Sequence, residues 1–270
     1  MSPAAFVYDA PLAHLRWGQG ERAVVLLHGI GGGREAWGDA ISGTGSALAE
    51  SGFLAIAPDL PGYGDSLSIA PYDMAGLAGA VIALIDTLAP RRCALVGHSM
   101  GGMVAQELMA RSPDRVQALV LSGTSPAFGK PDGSWQVEFL AQRLAPLDAG
   151  GGMAAMAPGL ALGMASPTAA HDAVARAAVL MSAVPEATYR RALQAIVGFN
   201  RRAMLGDLRL PVLCLAGEHD RNAPPAVMQQ MAARITGAEY HCMPGVGHLA
   251  NMEAPAPFNS VLVDFLLRRF

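Results

Sequence analysis

Five short apolar runs, each closing on glycine or polar residues, set the tightest limit on how this chain can fold. They read AVVLLHG (23–29), FLAIAPD (53–59), CALVGHS (93–99), ALVLSG (118–123) and LPVLCLAGEHD (210–220). A strand with one wet face alternates apolar and polar residues. Runs that stay apolar belong to strands of a parallel sheet covered by helices on both faces. Helix-like patterns separate them, notably 73–88 and 100–111, the second halted by Pro113. A sixth strand-like segment, AEYHCMPG (238–245), comes late, and a last helix starts near Pro255. This alternation predicts an α/β fold with a mostly parallel sheet. The first twenty residues read as an antiparallel strand pair leading into it.

After Gly123 the rhythm breaks. Residues 128–205 show no strand pattern and are rich in Ala, Met, Gly and Pro, as in GGMAAMAPGLALGMASP. The expected organisation is a core of residues 1–127 and 206–270, interrupted by a helical cap of residues 128–205. A chain of 270 residues, 52% hydrophobic, supplies core enough for this.

Charge and cysteine usage narrow the function classes. The net charge is −3, and arginine pairs such as Arg190–Arg191 are scattered rather than gathered into a basic stripe, so no nucleic-acid partner is expected. Cys93, Cys214 and Cys242 are odd in number and lie in strand-like runs, which points to buried free thiols in a reducing cytoplasm. No signal-peptide pattern and no transmembrane run is present, so no membrane partner is expected. Paired metal ligands of the CxxC or HxxxH kind are also missing.

The chemistry concentrates in LVGHSMGG (95–102). Gly97-His98-Ser99-Met100-Gly101 fits G-x-S-x-G between a strand and a helix, where a strained turn holds the serine Oγ clear of the sheet. The flanking glycines are needed because side chains there would collide. A phosphate loop is excluded, since no G-x-x-x-x-G-K-[ST] pattern exists. A serine hydroxyl needs a base, and the base needs a carboxylate to orient it. Asp220 in AGEHDRN and His248 in PGVGHLANME follow later strands in the required order. Glu218 is a weaker alternative to Asp220. His14, His171, His219 and His241 lack glycine-turn settings and read as surface or structural residues, and His98 reads as lining or supporting the turn. The backbone N–H groups of Ile30, in LLHGIGG, and Met100 are the expected oxyanion hole.

With HGIGG (28–32), DLPGYGDS (59–66), GHSMGG (97–102), GEHD (217–220) and GVGHLANME (245–253), the chain resembles the α/β-hydrolase fold superfamily nearly end to end. The resemblance implies a mostly parallel eight-stranded sheet with its second strand antiparallel, a helical cap between strands 6 and 7, and neither cofactor nor metal. SMGG with GHLANMEAPAPFN looks most like the 3-oxoadipate enol-lactonase group and neighbouring small-ester hydrolases, which usually carry leucine at position 98. The substrate so implied is a small ester or lactone. C–C bond hydrolases of ring-cleavage pathways usually carry asparagine at position 98 and tryptophan at 249, where this chain has His98 and Leu249. Hydroxynitrile lyases of the fold use a cap lysine, and Lys130 is the only lysine present. A ligand receptor or a cofactor-free oxygenase or perhydrolase on the same fold are the readings from other classes. Trp37, Trp135, Phe139, Met153, Phe199 and Leu249 are the expected apolar pocket residues, with Met156, Met164 and Met181 as further cap methionines. A cap arginine turned inward would bind a carboxylate.

Overall fold

The computed structural model describes residues 5–7, 11–38, 43–129 and 133–270. Lys130 lies outside them. Strands β1 (Ala5–Val7), β2 (His14–Trp17), β3 (Arg22–Leu27), β4 (Leu54–Pro58), β5 (Arg92–His98), β6 (Ala118–Ser122), β7 (Val212–Gly217) and β8 (Glu239–Met243) form one sheet. Their spatial order is β1-β2-β4-β3-β5-β6-β7-β8. β2 runs antiparallel to both β1 and β4, and the other neighbouring pairs are parallel.

Side-chain alternation explains the apolar runs. Val25, Leu27, Ile56, Leu95, Leu119 and Leu121 enter one hydrophobic core. Their neighbours Val24, Leu26, Ala55, Val96, Val120 and Leu215 enter a second core across the sheet. Successive residues of a strand point to opposite faces, so two covered faces demand an unbroken apolar run. Each such leucine or valine, buried from water, contributes roughly 1.5–3 kcal/mol.

Helices α1 (Thr44–Glu50), α2 (Met74–Leu88), α3 (Met100–Arg111), α8 (Pro225–Ala233), α9 (Ala250–Glu253) and α10 (Pro255–Arg269) belong to the same chain stretches as the sheet. Asp73 starts α2 because its carboxylate accepts the Gly76 N–H at 2.7 Å. Between β6 and β7 come α4 (Ser134–Asp148), α5 (Gly152–Met164), α6 (His171–Ser182) and α7 (Glu186–Val197). This helical insertion sits over the carboxyl edge of the sheet. Thr188 Oγ1 donates to the Gly62 carbonyl at 2.9 Å, and Arg176 donates to the Glu35 carbonyl at 2.7 Å. The Met164 carbonyl accepts from His248 N–H at 2.8 Å.

All three cysteines are free, but only Cys93 and Cys214 are buried, and burial pushes both thiols up to about 12. Cys242 is half-buried, against expectation, because β8 is an edge strand with only β7 beside it. Among the described residues no helix is long and apolar enough to cross a membrane.

Candidate active site

Register brings the strand ends level. Gly97 of β5 faces Leu27 of β3 and Leu121 of β6, and Ser122 faces Leu215 of β7. The loops leaving β5, β7 and β8 therefore open on one edge, and they carry Ser99, Asp220 and His248.

Ser99 adopts φ +53, ψ −119, a left-handed conformation that costs a non-glycine residue roughly 1–3 kcal/mol. Four hydrogen bonds hold it there. Its N–H donates to the Ser122 carbonyl at 2.9 Å, and its carbonyl accepts from Thr124 Oγ1 at 2.8 Å, Gly102 N–H at 2.9 Å and Met103 N–H at 3.2 Å. A Cβ on Gly97 would stand 2.5 Å from the Gly101 carbonyl, and one on Gly101 would run into the Leu27 carbonyl. Glycine is required at both positions for that reason.

His248 Nδ1 lies 2.8 Å from Asp220 Oδ2, and both side chains are buried. Asp220 Oδ1 accepts from the N–H groups of Asn222 and Ala223 at 2.8 and 2.9 Å. Burial alone would raise the Asp220 carboxyl. The facing His248 and the two amides outweigh it and hold the group below the usual carboxylate range. An ionised acceptor on Nδ1 leaves Nε2 as the free lone pair of the ring.

The His248 loop is tied down by a residue that sequence reading did not single out. Glu253 accepts from Gly247 and Leu249 N–H at 3.0 Å each, and from Ser166 N–H of the insertion at 2.9 Å. One carboxylate thus joins the histidine loop to the segment after α5. Its position in GVGHLANME was visible, but only folding shows which amides converge on it.

The HGIGG loop is fixed in a similar way. Buried His28 donates from Nδ1 to the Gly29 carbonyl at 2.8 Å and accepts the Leu60 N–H on Nε2 at 3.0 Å. Tyr63 places its ring edge-on to His28 and donates its hydroxyl to the Ile30 carbonyl at 3.0 Å. Burial lowers the His28 pKa and keeps the ring in this neutral, two-bond role. The motif DLPGYGDS is therefore a clamp on the loop that carries Ile30.

Two chambers meet at Ser99 and His248. A small one of about 30 Å³ is walled by Gly31, His98, Met164, Met181, Leu249 and Met252. A larger one of about 580 Å³ lies under the insertion, bounded by Met100, Trp135, Phe139, Arg143 and Tyr189. Ile30 and Met164 line both. His98 is buried with its ring centre 4.8 Å from that of His248, and burial, followed by the neighbouring His248, pushes its pKa down to about 3.

A sequence model of the alpha/beta hydrolase family matches residues 24–261. A protein of Variovorax paradoxus that carries the name carbamate hydrolase RutD is 35% identical over 254 residues, covering 91% of this chain and 92% of its own. The chain belongs to the alpha/beta hydrolase family. A pimeloyl-[acyl-carrier protein] methyl ester esterase of Nitrosospira multiformis is 28% identical to this hydrolase, covering 90% of this chain and 93% of its own. Among solved structures, the enol-lactonase from Burkholderia xenovorans LB400 superposes with a TM-score of 0.81 at 26% identity, over 98% of this chain and 100% of that one.

Within the hydrolase, the expected pocket residues separate into two groups. Trp135 and Phe139 line the large chamber, and Leu249 lines the small one. Trp37, Met153 and Phe199 line neither. Trp37 is buried against Phe258 of α10 on the far side of the sheet, and Met153 is part of the main core. Phe199 is 4% exposed, belongs to the main core and borders a separate pocket with Tyr72 and Met74. Glu218 stands exposed and accepts the Gly245 N–H at 2.8 Å, away from His248. His14 is fully buried and bonded to the Leu12 carbonyl, whereas His171, His219 and His241 are exposed.

Proposed function

We propose that this hydrolase cleaves a carboxylic ester or lactone of a small, largely apolar substrate, with Ser99 as nucleophile, His248 as base and Asp220 as its orienting acid. The observation that carries the reading is the buried 2.8 Å Asp220–His248 pair opening on the same chambers as the strained Ser99. His248 Nε2 takes the Ser99 Oγ proton as Oγ bonds to the carbonyl carbon, and the carbonyl π pair moves onto oxygen. The backbone N–H groups of Ile30 and Met100 receive that oxyanion, the second aided by the start of α3. On collapse the carbon–oxygen bond to the leaving group breaks, and His248 returns the proton to the departing alkoxide. A water deprotonated by His248 then attacks the acyl-enzyme, releasing the acid and restoring Ser99.

Residues 128–205 act as a cap domain over the core of residues 1–127 and 206–270. The two chambers divide the substrate into a short arm and a long one. A space of about 30 Å³ accepts a group of roughly one or two heavy atoms. The methyl ester named for one relative fits that division.

Stopped-flow release of p-nitrophenol from p-nitrophenyl acetate, with a panel of methyl and butyl esters, γ- and δ-lactones and one carbamate, tests the reading. The expected result is a burst equal to the enzyme concentration, with ester or lactone turnover exceeding that of the carbamate. Preferential consumption of a ring-cleavage dienone, or no turnover of any ester or lactone, overturns it.

A further inference from the structure

The large chamber is electrostatically one-sided. Among the described residues its lining contains Arg143 and Arg221 and no aspartate or glutamate. Arg143 belongs to a coherent face of α4, because Trp135, Phe139, Gln142 and Arg143 all line the chamber and are spaced as one helical stripe. Along that stripe the chamber wall changes from aromatic to cationic. The Arg143 guanidinium carbon lies 5.5 Å from the Phe139 ring centre. Its charge also reaches Tyr189 on the opposing α7, where it opposes the rise that burial gives the phenol.

Other arginines of the insertion are differently employed. Arg190, on the same helix as Tyr189, is held by Asp148 at 2.6 Å and Glu186 at 2.8 Å. Among the described residues no carboxylate of the protein pairs with Arg143. A half-buried guanidinium over an aromatic wall, facing a cavity whose described lining holds no carboxylate, is a site for a planar anion, which its fork of N–H groups binds in a bidentate manner. Exposed Arg221, on the loop after Asp220, adds positive charge to the same chamber.

We infer that the substrate carries a free carboxylate at the end of its longer arm and that Arg143 anchors it, so the natural ester or lactone is the derivative of an acid with a second ionised group. This rests on the hydrolase reading above. The apolar stretch of the chamber receives the methylene chain between the scissile carbonyl and the anchored carboxylate. Arg143 is a specificity-determining residue here, remote from the reacting atoms.

Two probe pairs test this without presupposing which arm is the acyl side. Methyl half-esters of linear dicarboxylates, from succinate to suberate, are compared with the methyl esters of the matching monocarboxylates. 5-Acetoxypentanoate is compared with pentyl acetate. The expected result is that the best acid of at least one pair exceeds its neutral counterpart at least tenfold in kcat/KM, mainly through KM. Arg143→Gln should reduce that ratio at least tenfold, Arg143→Lys should restore part of it, and Arg190→Gln should leave it unchanged. Binding supplies a readout independent of turnover. Calorimetric titration of Ser99→Ala with the free dicarboxylates should give an affinity that Arg143→Gln weakens at least tenfold and that falls with added salt. Neutral esters turned over as well as their acids, with ratios unmoved by Arg143→Gln, would refute the anchor and leave the hydrolase reading standing. No turnover of any ester, together with Arg143-dependent dicarboxylate binding, would refute the hydrolase reading and leave the anchor.

Discussion

Replacing His98 with leucine should remove a specific acid weakness from this protein. The ring is 8% exposed and lies 4.8 Å from the His248 ring. Burial first, and the neighbouring His248 second, depress its pKa from 6.5 to about 3. In the unfolded chain the group returns to about 6.5. Between these values the unfolded state holds a proton that the native state does not, so native stability falls as pH drops below 6.5 and goes on falling towards 3. Linkage puts the loss between pH 7.5 and pH 5 at about 2 kcal/mol for this one residue. Leucine is of similar bulk and has no titrating group, so it should cost little at pH 7.5. Urea unfolding of both proteins at pH 7.5, 6.5, 5.5 and 5.0 measures the effect. Buried His28 weakens both proteins alike and cancels in the comparison. The expected result is a gap that opens by about 2 kcal/mol in favour of His98→Leu as pH falls from 7.5 to 5. Parallel stability profiles would refute the argument that His98 is held neutral by its surroundings.

Three further changes address the site itself. Asp220→Asn should keep the fold by circular dichroism but lower kcat on the order of 10⁴-fold, since an amide in that place no longer fixes the reactive tautomer of His248. Gly123→Ala forces a side chain into a left-handed φ of +51 and sets its Cβ 3.2 Å from Asp220 Oδ2 and 3.3 Å from His248 Nδ1. Steady-state kinetics should show kcat reduced about tenfold or more by displacement of that pair. Met181→Ala enlarges the small chamber, and the ratio of kcat/KM for butyl over methyl esters should rise several-fold.

Much of this architecture was legible in the sequence because parallel strands covered on both faces write themselves as apolar runs. The convergence of Ser99, Asp220 and His248 was legible for a related reason, since each closes or follows a strand that ends on the same edge. Pocket membership depended instead on which way side chains turn. Trp37 lies near the HGIGG loop in sequence, yet it packs against Phe258, a contact that only the placement of α10 reveals. Phe199 and Met153 are large apolar residues of the insertion, but apolar residues of a helical layer serve its own core as readily as a cavity. The α4 stripe was within reach of helical spacing. Trp135, Phe139 and Arg143 recur every fourth residue, although spacing alone does not say whether that face meets the cavity or solvent.

The proposed chemistry requires Ser99 to be a nucleophile activated by His248. Treatment with a fluorophosphonate, followed by peptide mass spectrometry, measures this directly. The expected result is one adduct per chain, carried by the peptide containing Ser99, absent in Ser99→Ala and formed far more slowly in His248→Ala. An adduct on another residue, or ester hydrolysis that survives Ser99→Ala undiminished, would contradict it.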